Sequence, residues 1–359
     1  MGKTKGLLLA SVLAVAAPML SQAQMQAPMS TPLQQPVAFD AVYVVNGGDG
    51  MTGSISVINT ETNTVAGTIQ LTHAMWPHHI YLSPDGSKLV VAVPGMDLSM
   101  GHGTTGQPMM PGAVMVLDAK TGATINSTLL PMMNHNALYS PDQTEIWTSQ
   151  MMMMGSILVL DAKTLATKQS IPVGQMPAEV TFAPNGRQAF VANGMSNDVS
   201  VIGVAAKAVS ATIPVGMTPV VPSQAQNGLI YVDDEEGMQV SAIDRRSLTV
   251  RFTYSLGFTP GYAKLGPDGH LWVTDVAGRV VLFSQGAPVQ RHVITVGAGA
   301  HGIAFSGDGS TAYITNQMAN TVSVIDVEDH RVKATINVGT KPNGLVFRED
   351  NSPRRHWMR

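Results

Sequence analysis

The sequence has no cysteine among its 359 residues. Disulfides therefore play no part in its stability, and a lipoprotein anchor on cysteine is excluded. Charge is also scarce, since charged residues make up 13% of the chain and the formal net charge is −3 at pH 7. So small a charge gives no basis for binding nucleic acid or an anionic membrane surface. Without a Gly-x-Ser-x-Gly elbow or a phosphate-binding loop, hydrolase and nucleotide-binding functions have little support.

A long apolar run lies at the N-terminus. Lys3 and Lys5 precede the apolar residues 6–20, and the small residues 21–23 follow. This order is typical of a secretory signal peptide over residues 1–23, and it predicts export to a bacterial periplasm. The run is too short for a good transmembrane helix, so we expect no membrane span after cleavage. An uncleaved N-terminal anchor is the alternative.

The rest of the chain is repetitive. Residues 24–39 are rich in glutamine, methionine and proline, and we expect a flexible leader there. From Asp40 onward, short β-rich segments recur at a steady period. The repeats begin at Pro77, Asn134, Pro177, Pro219, Pro260, His301 and Pro342, at intervals of 57, 43, 42, 41, 41 and 41 residues. A period near 40 residues with several short strands per unit is typical of a β-propeller.

The last full repeat shows the plan of one blade. Its four predicted strands, A to D from the axis outward, cover residues 302–306, 312–316, 321–326 and 331–338. The first blade begins at strand B, whereas residues 342–347 are an A strand without a blade. Pairing these two would close the ring and remove its open edges. We therefore predict an all-β, seven-bladed β-propeller over residues 40–349, followed by an exposed tail over residues 350–359.

Three B strands and the segments after them carry a family resemblance. Tyr43-Val44-Val45-Asn46, Phe190-Val191-Ala192-Asn193 and Tyr313-Ile314-Thr315-Asn316, with Val-Ser-Val-Ile-Asp and Ala-Thr-Ile-x-Val-Gly downstream, resemble the YVTN family of β-propeller repeats. The resemblance covers residues 40–349. It implies the propeller fold and fits an exported protein. The family shares no catalytic residues that could be carried over to this chain.

One position of the repeat is unusually rich in histidine. At the start of the innermost strand, three of seven equivalent positions are His78, His135 and His301, and His79 flanks the first of them. The other four positions hold Ala178, Val220, Gly261 and Asn343. Inner strands surround the axis of a propeller, so we expect the three histidines to reach a common point. Imidazoles with an open position suit a borderline transition metal. Trp76 would either cover the bound cation with its ring or serve in ordinary packing.

Most of the 23 methionines fall in B–C loops and D–A junctions, which lie at the same end of an antiparallel blade. We call this end the methionine face. Because the methionines are in loops while the strands use other apolar residues, core filling does not explain them. Thioether sulfur selects Cu(I), and imidazole suits both Cu(I) and Cu(II), so the predicted metal is copper. Beside the three axial histidines and His79, the candidate ligands are Met75, Met96, Met100, His102, Met132 and Met133.

These observations predict a monomeric periplasmic protein that buffers, delivers or accepts copper. A non-enzymatic scaffold is the first alternative, with the methionine face docking a redox or metal-handling partner. A copper-dependent redox enzyme is the second, although no acid–base pair is evident beside the histidines. Glu179 and the acidic residues 233–236 share the methionine face, and we expect them to lie in solvated loops; the alternative is that they add oxygen ligands or attract cations. Four further histidines are expected at the surface or in turns, namely His73, His270, His292 and His330.

Overall fold

The computed structural model describes residues 26–50, 52–99 and 111–350. These residues form strands joined by turns and loops. Among them, no helix is long and apolar enough to cross a membrane. The strands make seven antiparallel sheets, which are the seven blades of the predicted propeller.

The strands are numbered here in chain order, blade by blade. Blade 1 contains β1 (Met29–Thr31), β2 (Ala41–Asn46), β3 (Gly53–Asn59) and β4 (Thr64–Thr72). Blade 2 contains β5 (Ile80–Leu82), β6 (Lys88–Val93), β7 (Ala113–Asp118) and β8 (Thr124–Leu129). Blade 3 contains β9 (Ala137–Tyr139), β10 (Glu145–Gln150), β11 (Ser156–Asp161) and β12 (Thr167–Pro172). Blade 4 contains β13 (Pro177–Phe182), β14 (Gln188–Asn193), β15 (Asp198–Gly203) and β16 (Ala208–Pro214).

The second half of the ring repeats the plan. Blade 5 contains β17 (Pro219–Gln224), β18 (Leu229–Asp234), β19 (Gln239–Asp244) and β20 (Thr249–Ser255). Blade 6 contains β21 (Pro260–Leu265), β22 (His270–Asp275), β23 (Arg279–Ser284) and β24 (Gln290–Thr295). Blade 7 contains β25 (Ala300–Phe305), β26 (Thr311–Asn316), β27 (Thr321–Asp326) and β28 (Arg331–Asn337). The last strand, β29 (Pro342–Arg348), returns to blade 1.

The ring closes as predicted. Strand β29 pairs with β2 and takes the innermost position of blade 1, with Val42 opposite Phe347 and Val44 opposite Leu345. This pairing, between the two ends of the repeat region, gives β2 a hydrogen-bonded partner on each side. The last described residue, Asp350, donates its backbone N–H to Asp40 Oδ1 at 2.7 Å. The tail beyond it, residues 351–359, lies outside the described residues.

The apolar pattern of each strand follows its place in the blade. Middle strands such as β26 are buried along their whole length, because neighbouring blades cover both of their faces. Such strands read as continuous β-branched and aromatic runs rather than as alternating patterns. The outermost strands, such as β28, are mostly exposed and bury one residue near the end. The core therefore lies between successive blades.

The segment before the first blade is more ordered than expected. Strand β1 pairs with β4 at the outer edge of blade 1, with Ser30 opposite Leu71. Ser30 also donates its hydroxyl to the Gly122 carbonyl of blade 2 at 2.7 Å, and Val37 is buried in the core between these two blades. The prediction of a flexible leader is therefore wrong for residues 29–39, whose apolar side chains and backbone groups find partners on two blades.

Candidate metal centre

The start of each innermost strand is irregular, and this irregularity builds the axial site. In blades 1, 4, 5 and 7, the register between the inner strand and its neighbour skips two residues. In blade 2, two residues precede β5, where Ala92 accepts from the His78 N–H and donates to the His79 carbonyl, both at 3.0 Å. Residues outside the ladder are free to turn away from the pleat. The histidine position of the sequence is this irregular point.

Three imidazoles meet at this end of the axis. One ligating nitrogen from each of His78, His79 and His135 lies within 4.8 Å of the others. The ring centroids are 4.6 Å apart for His78 and His79, 4.6 Å for His78 and His135, and 4.8 Å for His79 and His135. All three side chains are buried. The grouping of His78 with His135 agrees with the sequence-based expectation, and His79 takes the third place in the cluster.

His301 lies at the edge of this cluster. Its ring centroid is 6.3 Å from that of His78 and 6.0 Å from that of His79. Asn343, at the equivalent position of blade 1, places its amide nitrogen 3.4 Å from His78 Nε2. The next residue of that blade, Gly344, leaves room for the cluster, because a Cβ there would lie 2.8 Å from the His79 Cα. The tight inner ring thus depends on small residues in blade 1 as well as on the histidines.

Glu179 organises the site, which the sequence did not predict. Instead of lying in a solvated loop, it is only 1% exposed, at the irregular start of β13. Its Oε1 atom is 3.0 Å from His79 Nε2 and 3.0 Å from His135 Nδ1. Its Oε2 atom accepts from the Tyr81 hydroxyl at 2.9 Å and from the Asn136 amide at 3.3 Å. One carboxylate therefore connects blades 2, 3 and 4 at the axis.

A sequence signal for this role existed. Glu179 occupies the position of its repeat that His79 occupies in blade 2. The repeat register aligns the two positions, but an acid in a loop-like segment predicts exposure. Only the ring geometry shows that these two positions, which belong to blades 2 and 4, meet at the axis. The carboxylate orients both imidazoles, and this kind of outer partner commonly fixes the ring and tautomer of a metal-binding histidine.

Two acids of blade 5 are also buried, contrary to expectation. Asp233 and Asp234 end strand β18 and are fully covered, whereas the prediction placed them in a solvated loop. Asp233 accepts from the Val221 N–H at 2.7 Å, and burial raises its pKa well above the ordinary range. Asp234 accepts from the Ser241 hydroxyl at 2.6 Å, and burial raises its pKa to about 6. Asp233 takes the B-strand position of Thr315 in blade 7, and Asp234 takes that of Asn316.

A cavity of about 180 Å³ adjoins the histidines along the axis. His79, Tyr81, Tyr262 and Lys264 contribute its polar lining. Burial lowers the pKa of Lys264 to about 8, and its ammonium donates to the Ile303 carbonyl at 3.3 Å. Burial is also the main reason that the pKa values of both tyrosines are raised. Beside His79, the polar part of the cavity wall therefore consists of two neutral tyrosines and of Lys264, whose ammonium loses its proton more readily than usual.

Some methionines of the methionine face are packed rather than available. Met133, Met151 and Met176 are buried together with Leu98, and Met96 packs against them from a partly buried position. Core filling, which the loop positions argued against, is thus the observed role of these side chains. The reason is that Met96 and Leu98, from the segment that follows β6 of blade 2, pack against them. Met133 lies two residues before His135 and forms part of this cover.

The remaining candidates differ in position. Met75 and Met132 are partly buried beside the axial segments, whereas Met100 and His102 lie outside the described residues. Among the described residues of the same face, six methionines are exposed: Met153, Met154, Met195, Met217, Met238 and Met318. Trp76 already covers a cation, because Lys341 Nζ is 4.6 Å from its ring centroid. Its predicted cover over a metal is therefore replaced by a contact with a lysine.

No family model matches the chain, and no curated protein matches it. Solved structures do. The chain is similar to the Kuenenia stuttgartiensis hydrazine synthase, with 18% identity over 76% of this chain and 90% of that chain and a TM-score of 0.63. It is similar to a periplasmic gluconolactonase of Pseudomonas aeruginosa, with 20% identity over 86% and 98% and a TM-score of 0.69. A functionally unknown protein of Desulfotomaculum acetoxidans gives 13% identity over 87% and 100% and a TM-score of 0.70.

At these identities the similarity shows the fold alone, and the chain is a seven-bladed β-propeller. The resemblance to the YVTN repeat family remains a prediction from the sequence. The named functions of the similar structures differ from one another, so they favour no single activity here.

Proposed function

We propose that this chain is an exported β-propeller that binds one copper ion at its axial histidines and buffers or delivers it. The observation that carries the proposal is the convergence of His78, His79 and His135, whose ligating nitrogens lie within 4.8 Å of one another. Three buried imidazoles from two separate stretches of chain, residues 78–79 and residue 135, are costly to bring together unless they share a ligand. Glu179 supports the proposal, since its carboxylate positions two of the rings and offsets the charge of a bound cation.

The geometry needs only a small adjustment to hold an ion. Metal–nitrogen distances of about 2.0–2.1 Å imply ligand separations of roughly 3.3 Å in a tetrahedral site. The three nitrogens would therefore close by up to about an ångström and a half, which rotation of imidazole rings can supply. Gly344 leaves the backbone space for His79 to take part. The ion would enter from the methionine face or from the adjoining cavity.

Copper fits this donor set better than zinc does for two reasons. Imidazole binds copper in both oxidation states, and copper lies above zinc in the general order of divalent affinity. The exposed thioethers of the same face, such as Met154 at 83% exposure and Met318 at 66%, would capture Cu(I) transiently. Absence of cysteine fits a compartment in which copper would oxidise thiols. The described methionines nearest His135, including Met133, would shield the site from water.

The exposed methionines also favour the alternative function, a docking scaffold. Flexible apolar side chains on one face suit an adaptable protein interface. A scaffold of this kind needs the exposed residues and not the buried histidines. The two functions therefore separate when the histidines alone are changed.

The test is copper titration of the purified protein, with Cu(I) measured against a chromogenic chelator and Cu(II) by the nitrogen couplings in its electron paramagnetic resonance spectrum. We expect one tight equivalent that is lost in the His78→Ala/His135→Ala variant. His73→Ala is the matched control, because His73 is exposed and lies outside the cluster. Absence of tight copper binding, or binding that the double variant leaves unchanged, would overturn the proposal and leave the scaffold as the better explanation.

A further inference from the structure

A second group of metal-binding side chains lies at the opposite end of the blades, far in sequence from the axial histidines. Asp268 is in the A–B turn of blade 6, His270 begins β22, and His330 ends the C–D turn of blade 7. One ligand atom from each lies within 4.8 Å of the others. The sequence predicts surface or turn positions for His270 and His330, which is where they lie, but it does not predict their contact through Asp268.

The distances within this group resemble those of a metal's ligands. Asp268 Oδ2 is 3.1 Å from His270 Nδ1 and 2.9 Å from His330 Nε2. Two ligands of a tetrahedral zinc ion are separated by roughly 3.3 Å, so both pairs are already close to the required spacing. The carboxylate is the common point of the two imidazoles. A cation that replaced the protons between Asp268 and the two histidines would contact one oxygen and two nitrogens.

Two neighbours complete the arrangement. The Trp272 indole N–H donates to both oxygens of Asp268, at 3.0 and 3.1 Å, and so fixes the orientation of the carboxylate. His292, from strand β24, places its ring centroid 4.4 Å from that of His330 and 5.9 Å from that of His270. A change of rotamer would bring His292 in as a fourth ligand. The side chains of Asp268, His270 and His330 are 12%, 27% and 14% exposed, so an ion can reach them from solvent.

The donor set indicates which metal. It combines imidazole nitrogen with carboxylate oxygen, and no methionine of the described residues lies in the A–B or C–D turns that form this end. Such a set suits a divalent borderline ion rather than Cu(I). Loops and strand ends from two adjacent blades supply the ligands, so a bound ion would also link blade 6 to blade 7. The ligand identities, their number and their oriented carboxylate match what a zinc site requires.

We propose that Asp268, His270 and His330, with His292 as a fourth ligand, form a second site that binds Zn²⁺ or a similar divalent transition metal and joins blades 6 and 7. The proposal does not depend on the axial copper site. The two sites lie at opposite ends of the strands and share no residue. Each can therefore be removed without altering the other.

The experiment is calorimetric titration with ZnCl₂, carried out in the His78→Ala/His135→Ala background so that the axial site is absent. We expect one equivalent of Zn²⁺ to bind. The further change His270→Ala/His330→Ala should weaken Zn²⁺ affinity by at least about 100-fold, because loss of a residue that only contacts a ligand costs at most about that much. His73→Ala in the same background is the control and should leave binding unchanged. Circular dichroism confirms that each variant is folded.

A second readout is independent of the histidine changes. Trp272 touches Asp268, so Cu²⁺ used as a probe should quench the fluorescence of this tryptophan when it occupies the site, and Trp272→Phe should remove that quenching. Asp268→Asn preserves side-chain volume and should also weaken binding of Zn²⁺. Failure of Zn²⁺ to bind in the axial-site background would overturn the proposal. So would binding that both the double histidine change and Asp268→Asn leave intact.

Discussion

Glu179→Gln is the most informative single change, because it alters the charge at the centre of the axial site while keeping its shape. The carboxylate has contacts with His79 and His135 at 3.0 Å through one oxygen, and with Tyr81 and Asn136 through the other. Glutamine can place its carbonyl towards the two histidines and its amide towards Tyr81, whose hydroxyl can accept. The Asn136 amide then loses an acceptor but keeps the Val180 carbonyl at 2.8 Å.

The magnitude follows from these contacts. Hydrogen bonds to a charged group contribute about 1.5–3 kcal/mol each, against about 1 kcal/mol for neutral pairs. The two contacts with His79 and His135 become neutral, so the free energy of unfolding of the metal-free protein should fall by roughly 1–4 kcal/mol. Copper affinity should fall about 10–100-fold, because an outer partner of two ligands is weakened. The affinity loss corresponds to about 1.4–2.7 kcal/mol of binding free energy.

Urea denaturation followed by tryptophan fluorescence, in the presence of a chelator, measures the first quantity, and competition for Cu(I) measures the second. Glu328→Gln is the matched control, since Glu328 is exposed on the C–D turn of blade 7. It should change stability by less than about 0.5 kcal/mol. Stability within that margin for Glu179→Gln, together with unchanged copper affinity, would refute the assignment of Glu179 as the organiser of the site.

Three further predictions follow from buried positions. Gly344→Ala should abolish tight copper binding in a protein that still folds, because the new Cβ would lie too close to the His79 Cα. The control is Gly203→Ala, whose Cβ would make only ordinary contacts and should leave the copper titration unchanged. Asp234→Asn should raise stability at pH 7.5 by up to about 3 kcal/mol. Burial holds the pKa of Asp234 at about 6, so the native state retains a proton that the unfolded chain has released, and the parent loses stability as pH rises from about 4 to 6. Urea melts at pH 4.5 and 7.5 should show this loss in the parent and not in the variant. Val37→Ala should cost roughly 2 kcal/mol in the same assay because it leaves a gap between blades 1 and 2, whereas Val65→Ala at the exposed outer strand should cost little.

The repeat period determined most of the fold. Recurrence near 40 residues, with β-branched runs such as Tyr313-Ile314-Thr315-Asn316, predicted seven blades and the strands within them. The unmatched inner strand at residues 342–347 predicted the closure with β2, and the structure confirms it. Period and alternation are local properties of a chain, so a single sequence displays them. The recurrence also aligned His78 with His135 and His301 before any contact was known.

Tertiary structure decided which aligned residues touch, because contacts around a ring join positions about one or two repeats apart. The placement of Glu179 between His79 and His135 depends on the angle between successive blades, which no pattern within a repeat encodes. The same holds for Asp268 and His330, which are 62 positions apart in the chain and 2.9 Å apart in space. Burial of Met133 depends on a loop from another blade. The sequence determined which side chains stand at each end of the propeller, and packing of blade against blade decided which of them form a site.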